Sequence, residues 1–288
     1  GAILGFVNVA LLMNRMFSPD EFGLRSILLD VAVVSSMVAQ LGTARTIVKL
    51  HPFFSHKSKH DNGLFSLSLL FSFVGFLLIT LVLLFLKDSV VDHFDGKSSL
   101  IGDYYWVIFP LAFFMLLNLM FESNLQAMSR TAFSAFLRHV VSRVFVTILL
   151  GLYYMEYINF YWFIILFVSS FAINILLFML YLKSNDQLYF KINLSFYRKS
   201  LRKIYLRYSL FSIWTNIAIR VTSKLDAIMI LYFLGLSSVA VYSNAIYLVM
   251  LVTIPSASIA KISFPILSKQ WKNKRIDLIE DLYKKSSL

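Results

Sequence analysis

LFSLSLLFSFVGFLLITLVLLFL, residues 64–86, runs for 23 residues without one charged side chain. A helix rises about 1.5 Å per residue, so this run is long enough to cross the roughly 30 Å hydrocarbon core of a bilayer. In lipid the backbone must satisfy its own N–H and C=O groups, and a helix does so within one segment.

The rest of the chain repeats that reading. Comparable apolar runs lie at about 1–17, 24–50, 104–128, 133–155, 159–182, 208–234 and 239–264, which with 64–86 makes eight spans. Turn chemistry separates them: SPDEFG at 18–23, KHDNG at 59–63, DHFDGKSSLIGD at 92–103 and Gly235-Leu236-Ser237-Ser238. Apolar residues make up 59% of the chain and charged ones only 15%, with a mean hydropathy of +0.74. A soluble domain carries about 25% charged residues, so the fold class is an all-α, polytopic membrane bundle. The opening Gly1-Ala2-Ile3 falls inside an apolar run, which reads as the interior of a longer protein and not as a cleavable leader.

The net charge of +12 would point to nucleic acid in a soluble protein. Its distribution excludes that partner. With the first span running outward from the cytoplasm, 21 of the 27 Lys and Arg residues fall in loops on the inner side. Four fall outside: Arg15, Arg25, Lys87 and Lys97. That asymmetry is the positive-inside pattern, with basic loops cytoplasmic and membrane lipids as the surrounding partner. Residues 183–207, basic and interleaved with Tyr, Phe and Leu, are expected to form an amphipathic cytoplasmic linker on the anionic leaflet. It divides an N-terminal six-helix lobe, 1–182, from the start of a second lobe, 208–288, made of two helices and an amphipathic tail.

Ionisable residues within a span are costly and mark cavities or helix contacts. In the seventh span Ser209, Ser212, Asn216, Arg220, Ser223 and Lys224 follow the three-and-four spacing of one helix face. In the second, Arg25, Ser36, Gln40 and Thr43 share a side, with Asp30 and Arg45 placed elsewhere. Asn118, Glu122 and Gln126 line the fourth, and Arg138, Ser142 and Arg143 open the fifth. One reading is a hydrated cavity for an anionic ligand, lined by Arg220, Lys224, Asn216, Ser212, Ser223, Gln40 and Arg45. The other is that Arg220 and Lys224 neutralise carboxylates on neighbouring helices, such as Glu122 or Asp30. Glu122 and Asp226 are the candidates for a coupling ion, against a role in ion pairing or a polar helix contact.

No catalytic constellation emerges. The chain has no Cys, so thiolate chemistry and disulfides are excluded. His51, His56 and His60 lie in a Lys-rich loop and are read as solvated, giving no metal site. A Gly-rich phosphate loop followed by Lys and Ser or Thr is missing from the sequence, so no cofactor or nucleotide is expected.

Two stretches resemble a known family. NRMFSPDEFGLRSILLDVAVVSSMVAQLGTARTIVKLHPFF (14–54) resembles the start of bacterial oligosaccharide flippases of the polysaccharide-biosynthesis family, with FSPDEFG in place of its "L-x-P-E-x-F-G" turn. KLDAIMILYFLGLSSVAVYSNAIYL (224–248) is similar to that family's junction of seventh and eighth helices. HPFF and KHDNG resemble members from Bacteroidetes. The family sits in the superfamily of the MATE drug exporters, and this chain ends well short of a full member.

The resemblance implies a MATE-like fold of two lobes with alternating access. It also implies a polyprenyl-pyrophosphate-linked oligosaccharide carried across a bacterial inner membrane for surface polysaccharide or lipopolysaccharide (O-antigen) biosynthesis, alongside polysaccharide assembly proteins. In that role the protein is a transporter and not an enzyme. A membrane glycosyltransferase or polymerase is the first alternative, which would need an acid/base constellation on a large outer loop. A cation-coupled MATE-like small-molecule exporter is the second, and would favour carboxylates in its cavity.

Overall fold

A computed structural model gives the fold over residues 2–54, 63–95, 100–187, 199–249 and 253; the side chains of 2–3, 53–54, 95, 199–202 and 215–223 lie outside that description. Among the described residues every regular element is helical. In chain order these are α1 (2–16), α2 (Pro19–Ala39), α3 (Thr43–Phe54), α4 (Leu64–Asp95), α5 (Leu100–Ala127), α6 (Thr131–Tyr154), α7 (Phe160–Ser184), α8 (Lys199–Leu234) and α9 (Leu236–Val249). Five stretches, Pro19–Ala39, Leu64–Phe94, Leu100–Ala127, Thr131–Tyr154 and Phe160–Ser184, are long and apolar enough to cross a membrane. The chain is a multi-pass membrane bundle, in the order the apolar runs predict. The histidines at 56 and 60, the linker over 188–198 and the tail beyond 253 lie outside the described residues.

The SPDEFG turn is a helix start. Ser18 Oγ accepts from the Glu21 N–H at 3.3 Å while Glu21 Oε2 accepts from the Ser18 N–H at 2.9 Å, a reciprocal capping box with Pro19 in the first turn. This satisfies two donors that helix geometry leaves unpaired, and losing such a cap costs about 1 kcal/mol. Asp20 and Glu21 also complement the helix dipole.

The second span is not one helix, as the sequence suggested for 24–50. It breaks at Leu41 (φ 49°) and Gly42 (φ 74°), both left-handed, and restarts as α3. Thr43 restores the lost pairing, its N–H and Oγ1–H both donating to Gln40 O at 2.9 and 2.6 Å. Gly42 is required by its neighbour: a Cβ there would lie 2.1 Å from Ser209 O of α8.

The linker reading also shifts. α8 begins at Lys199, so residues 199–207 run into the seventh span without interruption. Tyr205, Ser209 and Ser212 form a buried stripe along it. Tyr205 OH pairs with Ser68 Oγ at 3.0 Å, and Ser209 Oγ with Thr46 Oγ1 at 2.9 Å. These contacts draw the start of α8 onto α3 and α4.

α2 and α5 form the centre. α2 packs against α4, α5 and α8, and α5 against α2, α3 and α7; α1 lies along α6. Phe22, Leu24, Leu111 and Phe163 fill one half of the core, and Ile47, Leu116, Met120 and Phe178 the other. α4 instead exposes Leu77, Leu81, Val82 and Phe85, the last 88% exposed. Lipid covers such a face at no cost, so helix association rests on packing and polar contacts between neighbours.

Candidate functional site

α2 is two-thirds buried, yet Arg25, Ser26, Asp30, Ser36 and Gln40 are among its buried residues or its C-cap. Three cavities follow this polar line. The first, about 90 Å³, lies among α2, α8 and α9 and is lined by Arg25, Ser26, Asp30, Lys224 and Tyr242. Lys224 Nζ sits 2.5 Å from Asp30 Oδ1. Tyr242 OH donates to Asp226 Oδ2 at 3.0 Å. Arg25 is only 5% exposed, with its guanidinium 4.7 Å over the Phe167 ring. Neither Arg25 Nε nor Ser26 Oγ has a hydrogen-bond partner.

Arg143 of α6 adds a second guanidinium, near enough to Arg25 for the two to repel. It packs on α1, where a Cβ on Gly5 would come within 2.9 Å of its Cζ. Arg25 and the Lys224 ammonium thus share this cavity with Asp30, Asp226 stands behind Tyr242, and Arg143 lies close to Arg25. A buried donor left unpaired costs about 1–3 kcal/mol, and more when charged.

The second cavity, about 190 Å³, lies between α2, α5, α6 and α7. Its Glu122 accepts from Arg138 Nη1 at 3.2 Å. Asn118 Nδ2 donates to the carbonyls of Phe114 and Phe171, and Asn174 Nδ2 to Ser142 Oγ. The third, about 450 Å³, opens at the α2–α3 break beside the end of α5. Gln40, Arg45, Lys49, Ser123, Gln126 and Tyr208 line it. Lys49 Nζ stands 4.0 Å over the Tyr208 ring, and Gln40 Oε1 is buried without a partner.

The residues expected from sequence distribute along this line. Gln40 and Arg45 share the third cavity, because the break turns α3 relative to α2; a continuous helix would have separated them. Lys224 reaches the first cavity, where its partner is Asp30, the ion-pair alternative that the sequence left open. Ser212 is 1% exposed beneath Gly42, and its Oγ has no partner. Glu122 is held by Arg138, and Asp226 by Tyr242. The helix carries Asn216, Arg220 and Ser223, but their side chains lie outside the described residues.

Sequence spacing sets Asp30 on a different face from Arg25, but both line the first cavity because α8 and α9 together cover a wide arc of α2. Arg143, at the start of the fifth span, packs against α1. The nearby Asn8, bonded to the Arg143 carbonyl at 2.9 Å and to Thr147, was the signal that α1 and α6 meet there.

Comparison with known proteins fits this arrangement. The sequence model of the family described as polysaccharide biosynthesis protein matches residues 1–271. No curated protein matches the sequence. Among solved structures the chain is similar to a multidrug resistance MATE family transporter of the MOP superfamily, in an inward-facing conformation, with a TM-score of 0.70 at 15% identity. The match covers 99% of this chain and 66% of that transporter, so the chain spans just under two thirds of its length.

Proposed function

This chain belongs to the polysaccharide biosynthesis protein family, and from that premise we propose that it carries a polyprenyl-pyrophosphate-linked oligosaccharide from the inner to the outer leaflet of the bacterial cytoplasmic membrane. The fold of a MOP-superfamily transporter supports the transport part of that reading. The cargo follows from chemistry. Such a lipid has an apolar tail, an anionic linker and a polar head, and only the last two need help crossing hydrocarbon. Sugar hydroxyls stripped of water lose hydrogen bonds at a cost of several kcal/mol each in an apolar medium, about 4–8 by alkane transfer. Side chains such as Ser36, Asn118, Gln40 and Gln126 along α2 and α5 replace that hydration, while the tail stays in lipid.

The observation that carries the proposal is Arg25. It is a buried arginine that forms no ion pair among the described residues, with Nε unpartnered, next to Arg143 and the Lys224–Asp30 pair. A pyrophosphate accepts from guanidinium in a charge-assisted, bidentate manner. Glu122 and Asp226 already have protein partners, which speaks for helix contacts over a bare cation-coupling site.

The test is genetic and biochemical together. Arg25→Ala, and Arg220→Ala with Lys224→Ala, should abolish surface polysaccharide while the protein persists in the membrane and lipid-linked intermediates accumulate. Normal polysaccharide in both variants refutes the cavity assignment. A polymerase would instead form glycosidic bonds when purified, and a drug exporter would change resistance to cationic compounds.

A further inference from the structure

A larger cavity lies away from the α2 line. It holds about 1140 Å³ on the face opposite the basic loops, between the end of α1, the start of α5 and the α6–α7 turn. The stretch 153–162, YYMEYINFYW, has six aromatic residues in ten positions, and its Tyr153, Tyr154, Phe160 and Tyr161 line one wall. Aromatic belts at membrane interfaces are the ordinary explanation for such a run. Three features of this wall go beyond a belt.

The rings are built into a floor. Phe17, 6% exposed, meets Tyr153, Phe160 and Phe163 edge-on at 4.9, 5.4 and 4.8 Å. Tyr104 meets Phe160 at 5.5 Å and Tyr161 at 6.3 Å. Tyr154 and Tyr161 keep 73% and 45% of their surface exposed at the edge of this floor.

The polar groups around it are fixed by the backbone. Glu156 (φ 60°) occupies the turn that closes α6, where Glu156 N donates to Tyr153 O and Tyr157 N to Leu152 O. Asn159 Oδ1 caps α7 by accepting from Trp162 N at 3.0 Å. Among the described residues its NH2 group makes no hydrogen bond. Arg15 forms no ion pair among the described residues, and Glu21 already has one carboxylate oxygen engaged by Ser18.

The charge is wrong for a phosphate. One cation, Arg15, stands with two carboxylates, Glu21 and Glu156. The first and third cavities along α2, by contrast, hold more cations than carboxylates. A neutral polyol fits the outer lining: the C–H face of a pyranose packs on the electron-rich face of a Tyr ring, while carboxylate, amide and guanidinium groups bond its hydroxyls. α1 is the shared wall, for its Leu12, Arg15 and Met16 face this cavity while Asn14 accepts from Asn244 of α9 on the cleft side.

Resting on the transport reading above, we propose that this cavity is a saccharide-binding subsite on the opposite face, where sugar rings stack on Tyr154 and Tyr161 and hydroxyls bond Glu156, Asn159 and Arg15. Its volume exceeds that of a usual small-ligand pocket, about 300–1,000 Å³, and leaves room for more than one ring. The sugar is either the head of the translocated lipid or a free glycan of the same kind.

The test uses the protein in nanodiscs on an array of neutral and acidic oligosaccharides, with hits confirmed by tryptophan quenching in a variant that keeps Trp162 as its single tryptophan. Binding to at least one glycan is expected, weakened tenfold or more by Tyr154→Ala with Tyr161→Ala and by Glu156→Gln. Tyr161→Phe should keep the affinity within about twofold, since the ring face remains. Equal binding of the free glycan and its lipid-linked form supports the headgroup as source; preference for the free glycan supports the other. The proposal is overturned if no glycan binds, if the Ala and Gln variants bind normally, or if only the lipid-linked form binds. Inorganic pyrophosphate binding, read in parallel and sensitive to Arg25→Ala, shows whether the transport reading survives such a failure.

Discussion

The first and third cavities along α2 use similar residues and stand in opposite states. The first is small, about 90 Å³, and its ammonium is locked to a carboxylate. The third is about 450 Å³, and Arg45 and Lys49 stand exposed in a lining that contains no carboxylate. Helix closure separates the two. Near the first cavity a Cβ on Gly23 would fall 2.0 Å from Leu236 O, Ser237 Oγ donates to Asp20, and Asn244 donates to Asn14 at 2.8 Å. His93 and Tyr232 stack at 4.3 Å on the same side. Where helices meet, water leaves and the protein must supply its own counter-charge. Where they part, solvent or cargo can do so.

The largest effect should come from splitting the locked pair. Asp30→Ala leaves the Lys224 ammonium partly buried without a partner, and such a loss destabilises by about 3–5 kcal/mol. Asp30→Ala with Lys224→Ala removes both charges and should recover most of that. Thermal unfolding in detergent, run as a double-mutant cycle, measures the coupling. Equal unfolding temperatures for the single and double variants would mean that the pair is solvated, and the contrast between the two cavities would fail.

Next is the hinge between them. Gly42→Ala asks an L residue to hold φ 74° with its Cβ 2.1 Å from Ser209 O. Strained backbone alone costs about 1–3 kcal/mol, and α8 must also move away from the break. Gly151→Ala is the matched control: no atom lies within 4 Å of the added Cβ, so the substitution should be neutral or stabilise by up to about 1 kcal/mol. Similar losses at both positions would show that the α2–α3 break does not depend on close approach of α8.

The sequence carried much of this, and its failures have a common cause. Span order was legible because hydropathy and loop charge are properties of a segment by itself. The capping box was legible for the same reason, since Ser18 and Glu21 are three residues apart. The break at 40–42 was hidden because the apolar run continues through Leu41, and helices in lipid tolerate Gly. Facing was lost with it: helical spacing carried across the break put Gln40 and Arg45 on different sides. The partner of Lys224 depends on α2, almost two hundred positions earlier, so sequence could name Asp30 as one option and no more. The outer cavity escaped because 153–162 reads equally well as an interfacial belt until the ring contacts are seen.

The smallest effect should come from the open cavity, and it should be selective. Arg45 and Lys49 are exposed, and replacing exposed charges usually alters stability by no more than about 0.5 kcal/mol. Arg45→Gln with Lys49→Gln should therefore unfold like the parent protein. Binding is a different matter. Each cation lost from a solvated mouth removes about 1 kcal/mol or less of attraction, so pyrophosphate affinity should fall severalfold at low ionic strength. The difference should shrink as salt shortens the screening length from about 10 Å at 0.1 M to about 3 Å at 1 M. Arg25→Ala, at a buried site, should weaken binding by a factor that changes less over the same range. Titrating pyrophosphate at several salt concentrations with both variants sets the two cavities against each other directly. Parallel salt dependence would mean that both are equally wet, and that the closure around Arg25, Asp30 and Lys224 does not isolate them from solvent.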